Sequence, residues 1–177
     1  MEKKIIECVP NFSNGRDKSI IDEITNQIKL VEGVKLLSVE PGEATNRTVV
    51  TFVGEPEKVI EAAFQTIKKA SELIDMSKQT GEHPRMGATD VCPLIPISGI
   101  SMKETVNYAK KLGKRVGEEL NIPVYLYEDA ATKPERKNLA NIRSGEYEAL
   151  EEKLKQQEWK PDFGSTSFDL AKKTGAT

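Results

Sequence analysis

Apolar positions recur along this chain at two periods, and the alternation between them predicts its elements. Residues 4–10 (KIIECVP) are short, β-branched and closed by proline, as a strand is. Ile20, Ile21, Ile24 and Ile28 follow at helical spacing, with Asp17 near the start and Gly33 just past the end. Residues 34–39 (VKLLSV) and 47–53 (RTVVTFV) predict two strands joined as a loose hairpin through the turn formers of residues 40–46. The longest helical stripe carries Val59, Ile60, Ala63, Phe64, Ile67, Ala70, Leu73 and Ile74, with Pro56 in its first turn and Glu55 and Glu57 complementing its dipole. After a polar, glycine-bearing segment, residues 90–97 (DVCPLIPI) form an apolar run whose Pro93 and Pro96 confine it to a sheet edge or a bulge. Ser101 and Glu104 make a capping box that opens a third helix to about Leu120, and residues 122–127 (IPVYLY) predict one more strand. Residues 134–157 read as helical and residues 159–177 as an irregular tail.

The order β-α-β-β-α-β over residues 4–97 is that of the split βαβ, or ferredoxin-like, arrangement. The expected class is therefore α/β (α+β): a mixed sheet with helices on one face, plus an additional strand and C-terminal helices. The proline-bearing run then falls on an edge, where proline is tolerated. A sheet covered on one side must hide its other apolar face under the C-terminal elements or against another chain or domain. At 177 residues one domain is expected, with neither an internal repeat nor a low-complexity linker.

Composition narrows the function classes. With 26 basic and 28 acidic side chains there is no overall field for nucleic acid, so a nucleic-acid partner is not expected. No window approaches the roughly 20 apolar residues of a membrane span, and acid interrupts the N-terminal segment, so a soluble, cytoplasmic protein without a membrane partner is expected. One histidine and two cysteines, Cys8 and Cys92, are too few for a multi-His or four-ligand metal centre, so no metal is expected. A cytosolic setting makes both cysteines buried thiols on neighbouring strands.

The sole histidine, His83, lies in Gly81-Glu82-His83-Pro84-Arg85-Met86-Gly87. Preceding a proline, it is driven to extended dihedrals, which puts Glu82 on the opposite side and Arg85 roughly alongside. By residue type this is an exposed loop histidine or, with a guanidinium nearby to hold an anion, a proton-exchanging group. Residues 40–48 (EPGEATNRT) concentrate acids, amide, hydroxyls and Arg47 at a strand connection, and Asn11 and Ser13 leave the end of the first strand free to bind a ligand or to cap the first helix.

Taken together, the runs CVPNFS (8–13), TNRTVVTFVG (45–54), LIDMS (73–77), GEHPRMGATDVCPLIPI (81–97), IPVYLYEDAA (122–131), IRSGEYEAL (142–150) and WKPDFG (159–164) resemble the N-terminal subdomain of glutamate formimidoyltransferase, the first part of formimidoyltransferase-cyclodeaminase in animals. The resemblance covers essentially the whole chain. It implies transfer of the formimidoyl group from N-formimidoyl-L-glutamate to N5 of tetrahydrofolate, a co-substrate, in histidine degradation. It implies two α/β subdomains whose sheets face each other, residues 1–177 being the first, with the second subdomain and the cyclodeaminase domain absent. It implies His83 as the catalytic histidine and residues 164–168 (Gly164, Ser165, Thr166, Ser167, Phe168) as the start of the folate-binding stretch. Glu40 stands where animal members carry Asp. Because the reacting amidine is cationic, a carboxylate would stabilise its tetrahedral species, and Glu40 is the candidate. Both substrates carry carboxylates, so Arg47 and Arg85, with Asn11 and Asn46, are the candidate substrate-binding residues. The alternatives are a noncatalytic folate-binding or interaction subunit that homodimerises or pairs with a separate C-terminal partner, and a formyl in place of a formimidoyl donor.

Overall fold

The computed structural model describes all 177 residues. Its first strand is broken: β1 (Ile5–Cys8) and the two-residue β2 (Asn11–Phe12) are separated at Pro10, which has no N–H to donate. The hairpin strands are β3 (Val34–Gly42) and β4 (Arg47–Gly54). The proline-bearing run is broken in the same way, at Pro93, into β5 (Thr89–Val91) and β6 (Leu94–Ser98). β4 is the central strand, flanked by β3 on one side and by β1 and β2 on the other; β6 extends the sheet beside β1, and β5 beside β2.

Every pairing is antiparallel, so the expected mixed sheet is corrected. The reason is topological. The helical crossovers join strands that run the same way, but a third strand always lies between them: β4 separates β1 from β3, and β1 separates β4 from β6. Parallel strands therefore never touch.

Three long helices match their sequence signals. α1 (Lys18–Lys29) is capped by Asp17, whose carboxylate accepts from the Ser19 and Ile20 N–H groups. α2 (Pro56–Leu73) begins on its proline, and α3 (Met102–Leu120) on the Ser101–Glu104 capping box. Their apolar stripes meet the buried sheet residues Ile6, Cys8, Phe12, Val50 and Phe52 in one core. The alternate residues of the sheet lie on the other face, where Leu37, Ile95 and Ile97 are 49%, 38% and 54% exposed. The C-terminal elements do not cover that face. They gather instead around Met86, Tyr125, Ile142 and Leu150 in a second, smaller core.

The C-terminal third departs most from its sequence pattern. Residues 122–127 make no ladder: Val124 bridges only Phe163, and Pro123 supplies no donor. Residues 134–157 are not one helix but α4 (Leu139–Arg143) and α5 (Leu150–Leu154) with single 3₁₀ turns at Pro134–Arg136, Tyr147–Ala149 and Gln157–Trp159. The break falls at Gly145 and Glu146, both in the left-handed region at φ +81° and +57°. The tail expected to be irregular contains α6 (Phe168–Ala171) and a final extended segment held on both sides. The Ala88 and Tyr125 N–H groups donate to the Thr174 and Thr177 carbonyls, and those of Ala176 and Thr177 donate to Met86 and Pro123. Cys8 is buried as expected, but Cys92, at the β5–β6 break, is only half-buried; their sulfurs lie 3.5 Å apart as free thiols.

Candidate functional site

Three connections meet at one end of the sheet, and Asn46 knits them together. It sits in the left-handed region at φ +49°, as a turn-closing asparagine can. Its Oδ1 accepts the Gly15 N–H at 3.0 Å, its Nδ2 donates to the Thr80 carbonyl at 2.8 Å, and its own carbonyl accepts from Gln79 Nε2 at 3.1 Å. Both ends of the amide are used, which makes Asn46 an organiser of the loops. Arg16, which the sequence did not single out, ties the same turns through the Glu43 and Thr80 carbonyls. Gly81 packs so tightly on Thr45 that a Cβ would collide with the Thr45 carbonyl, and this brings the following residues against the start of β4.

His83 thereby reaches Arg47. Arg47 Nη1 stands 2.5 Å from His83 Nε2, and His83 Nδ1 is 2.6 Å from the Pro84 carbonyl. The imidazole is half-buried. Arg47 lies on the uncovered face of the sheet, since its neighbour Thr48 is fully buried toward the helices. Glu40 pairs with Val49 and Gly42 with Arg47, which puts Glu40 on the same face and diagonal to Arg47, a separation of about 7 to 8 Å that long side chains span. Asn11 is opposite Val49 on the other side, so it too belongs to this face. Its Oδ1 is buried with no hydrogen-bond partner, and Glu40 makes no ion pair. Glu40, Asn11, Arg47 and His83 are therefore brought together, with a free carboxylate, an unsatisfied amide oxygen and a guanidinium without a carboxylate partner.

Arg85 is not part of that group. Its guanidinium is 11% exposed and bonded to Glu148 at 2.8 Å, to Glu146 at 3.4 Å and to Gln79 Oε1 at 2.7 Å. Glu148 raises its pKa further. Beside it, buried Asp90 accepts from the Met86 N–H at 2.6 Å and from Arg143 Nη2 at 2.5 Å. Burial pushes the Asp90 carboxyl up; Arg143 and the Met86 N–H pull against it. Neither Asp90 nor Arg143 was anticipated. The signal available was an acid heading an apolar run, which must find a cation when that run is buried.

Residues 164–168 lie apart. Gly164 sits at φ +89° against the Ile122 carbonyl and Gly117 of α3, the Ser165 hydroxyl accepts the Ser167 N–H, and the Phe168 ring is 6.0 Å from Tyr147. None of them hydrogen-bonds to Glu40, Asn11, Arg47 or His83; the connection is indirect, through the Tyr147 N–H, which donates to the Arg85 carbonyl at 2.9 Å. A cavity of about 310 Å³ is lined mainly by α3, residues 92–95 and residues 124–130, and His83 is not in its walls. No three His, Cys, Asp or Glu side chains converge on a point that could hold a metal ion. No helix is long and apolar enough to cross a membrane.

Residues 5–177 match the formiminotransferase domain, N-terminal subdomain. The chain is 59% identical over 165 residues to formimidoyltransferase-cyclodeaminase of Mus musculus, covering 93% of this chain and 30% of that protein. The Dictyostelium discoideum protein of the same name is 55% identical over 165 residues, 93% of this chain and 31% of its own length. Glutamate formimidoyltransferase of Streptococcus pyogenes serotype M1 is 50% identical over 161 residues, 91% of this chain and 54% of that protein. The chain thus spans about a third to a half of these relatives, and it belongs to the family of formiminotransferase N-terminal subdomains.

Proposed function

We propose that this chain supplies the histidine wall of a transferase site that moves the formimidoyl group of N-formimidoyl-L-glutamate to N5 of tetrahydrofolate. The names of the relatives support the reaction class, and one observation carries the residue assignment: the only imidazole, half-buried, stands with an unpaired guanidinium, an unpaired carboxylate and an unsatisfied amide oxygen on the uncovered face. N5 attacks the amidine carbon, His83 takes the proton that N5 loses, and it returns that proton to the departing glutamate amine. Glu40 stabilises the cationic tetrahedral species, Asn11 offers its amide oxygen to an N–H of the substrate, and Arg47 holds a substrate carboxylate. Arg85, consumed by Glu146 and Glu148, braces the loop instead of binding substrate.

In this reading β1 with β2, and β5 with β6, each count as one interrupted strand, which makes the sheet order ferredoxin-like, and a second subdomain lies on the face that exposes Leu37, Ile95 and Ile97. Residues 164–168 serve folate from the side of that junction, and the cytoplasm is the compartment. The test is transferase turnover of this chain supplemented with the remaining part of a full-length relative. Turnover that His83→Ala lowers by about 10²- to 10⁴-fold, the share a positioned acid–base group contributes, supports the assignment. Folded protein without turnover in any combination sinks it.

The exposed apolar residues favour one other reading, an interaction subunit that pairs through the same face without catalysis. Light scattering separates the two: a dimer that shows no turnover with the second part supports the interaction subunit, and a monomer that becomes active on mixing excludes it.

A further inference from the structure

The hydrogen bonds of His83 define its protonation more closely than its position alone would. The Pro84 carbonyl only accepts, so Nδ1 carries the proton. The Arg47 guanidinium only donates and does not give up its proton, so Nε2 presents its lone pair to Nη1. An imidazolium cannot keep this arrangement, because an Nε2–H would face an N–H. The imidazole is therefore held neutral in one tautomer, and the lone pair that a base needs is covered. Asp90 makes no hydrogen bond to the ring and is occupied by Arg143 and the Met86 N–H. Glu40 leaves Arg47 where it is, for no ion pair joins them although they are diagonal neighbours on one face.

A guanidinium prefers a carboxylate, in a bidentate, charge-assisted pair, to the single lone pair of a neutral ring. We propose that Arg47 is a latch on the base: it covers Nε2 of His83 in the free protein, and a carboxylate-bearing ligand uncovers Nε2 by drawing the guanidinium away. The inference rests on the assignment of His83 as the proton carrier and adds an order of events to it. The anionic substrate must seat before the ring can accept a proton, so the base is not exposed to solvent in an empty site. Arg47 then has two roles: it seats the carboxylate, and by leaving His83 it frees Nε2.

The chain has one histidine, so every imidazole signal reports this ring. The acylating reagent diethyl pyrocarbonate attacks an uncovered ring nitrogen, and its rate on this chain should rise about tenfold in Arg47→Met, the weight of one hydrogen bond to a charged group. Arg47→Lys, which keeps a donor, should retain most of the protection. In ¹⁵N spectra the Nε2 resonance should move toward that of an unbonded lone pair in Arg47→Met, and should move the same way in the unsubstituted chain on saturation with glutarate, a carboxylate probe that cannot react. Equal acylation rates for the unsubstituted chain and a folded Arg47→Met, or an Nε2 resonance that glutarate leaves in place, would overturn the latch. Neither readout needs tetrahydrofolate or turnover. An inactive protein with a releasable Nε2 sinks the transferase reading alone, and an active one with an immovable Nε2 sinks the latch alone.

Discussion

His83 divides two charged regions of unlike construction. On its C-terminal side Arg85 is paired with Glu146 and Glu148, and Arg143 with Asp90; Arg85, Arg143 and Asp90 are largely withdrawn from water, while the two glutamates stand at the rim. On the sheet side Arg47 has only the imidazole for a partner, and Glu40 has none. The same residue types thus serve opposite ends. Matched charges fix the segment that carries the histidine, and unmatched ones are free to meet the charges of a ligand. Of the two arginines that flank the proposed proton carrier, the one without a carboxylate is the one we propose for substrate.

The largest effect on stability should come from the matched side. Arg143→Met leaves the Asp90 carboxylate buried without its cation, and it should cost about 3 to 5 kcal/mol of unfolding free energy at neutral pH in a urea titration. The sign of its pH dependence follows from Asp90. Its folded pKa lies above the ordinary 3.8, so the folded state binds the extra proton, and stability falls as pH rises through the interval above that value. Removing Arg143 widens the interval, and the deficit should therefore shrink as the solution is taken to about pH 5. A deficit independent of pH would mean that Arg143 acts by packing and not by charge.

The next comparison sets the two arginines against each other. Arg47→Met should weaken binding of the carboxylate substrate roughly tenfold or more while leaving the unfolding midpoint nearly unchanged, since it removes no buried pair. Arg85→Met should do the reverse, costing about 1 to 3 kcal/mol of stability by releasing Gln79, Glu146 and Glu148 from the loop, with KM for the anionic substrate little altered. KM and thermal melting measured on both variants, with the second part of a relative present for the kinetics, decide the matter. If Arg85→Met raises KM more than Arg47→Met does, the division into matched and unmatched sides is wrong.

How much of this was legible beforehand depended on whether the signal was local. Asp17, Pro56 and the Ser101–Glu104 box act on the adjacent helix turn, and the structure begins α1, α2 and α3 on them. The strand limits were less legible. Pro10 and Pro93 do not merely confine strands to an edge; they split two of them. The C-terminal third was misread because its apolar residues answer to distant partners: residues 174–177 wedge between residues 86–88 and 123–125, a pairing no short window contains. The site shows the same limit. Charge logic found Arg47 and Arg85 together but could not tell them apart, because the carboxylates that occupy Arg85 lie more than 60 positions along the chain.

The smallest effect tests whether the matched side is uniform. Glu148 pairs with Arg85, and that hydrogen bond holds its carboxyl below the ordinary 4.5, yet its side chain remains 64% exposed. A depressed carboxyl contributes stability that is present above the unfolded pKa and is lost as pH falls through the folded one, the opposite of Asp90. Solvent screening keeps the amount below about 1 kcal/mol. Glu148→Gln should therefore cost a few tenths of a kcal/mol at neutral pH, vanish as a difference below the carboxylate range because the unsubstituted protein weakens there, and vanish also in about 1 M salt. The Arg143→Met deficit should survive that salt, since the pair it breaks is shielded from solvent. Salt thus separates the two pairs: were both deficits abolished by it, the Asp90–Arg143 pair would be as open to water as the Glu148 rim, and the buried wall behind His83 would not be what holds the loop in place.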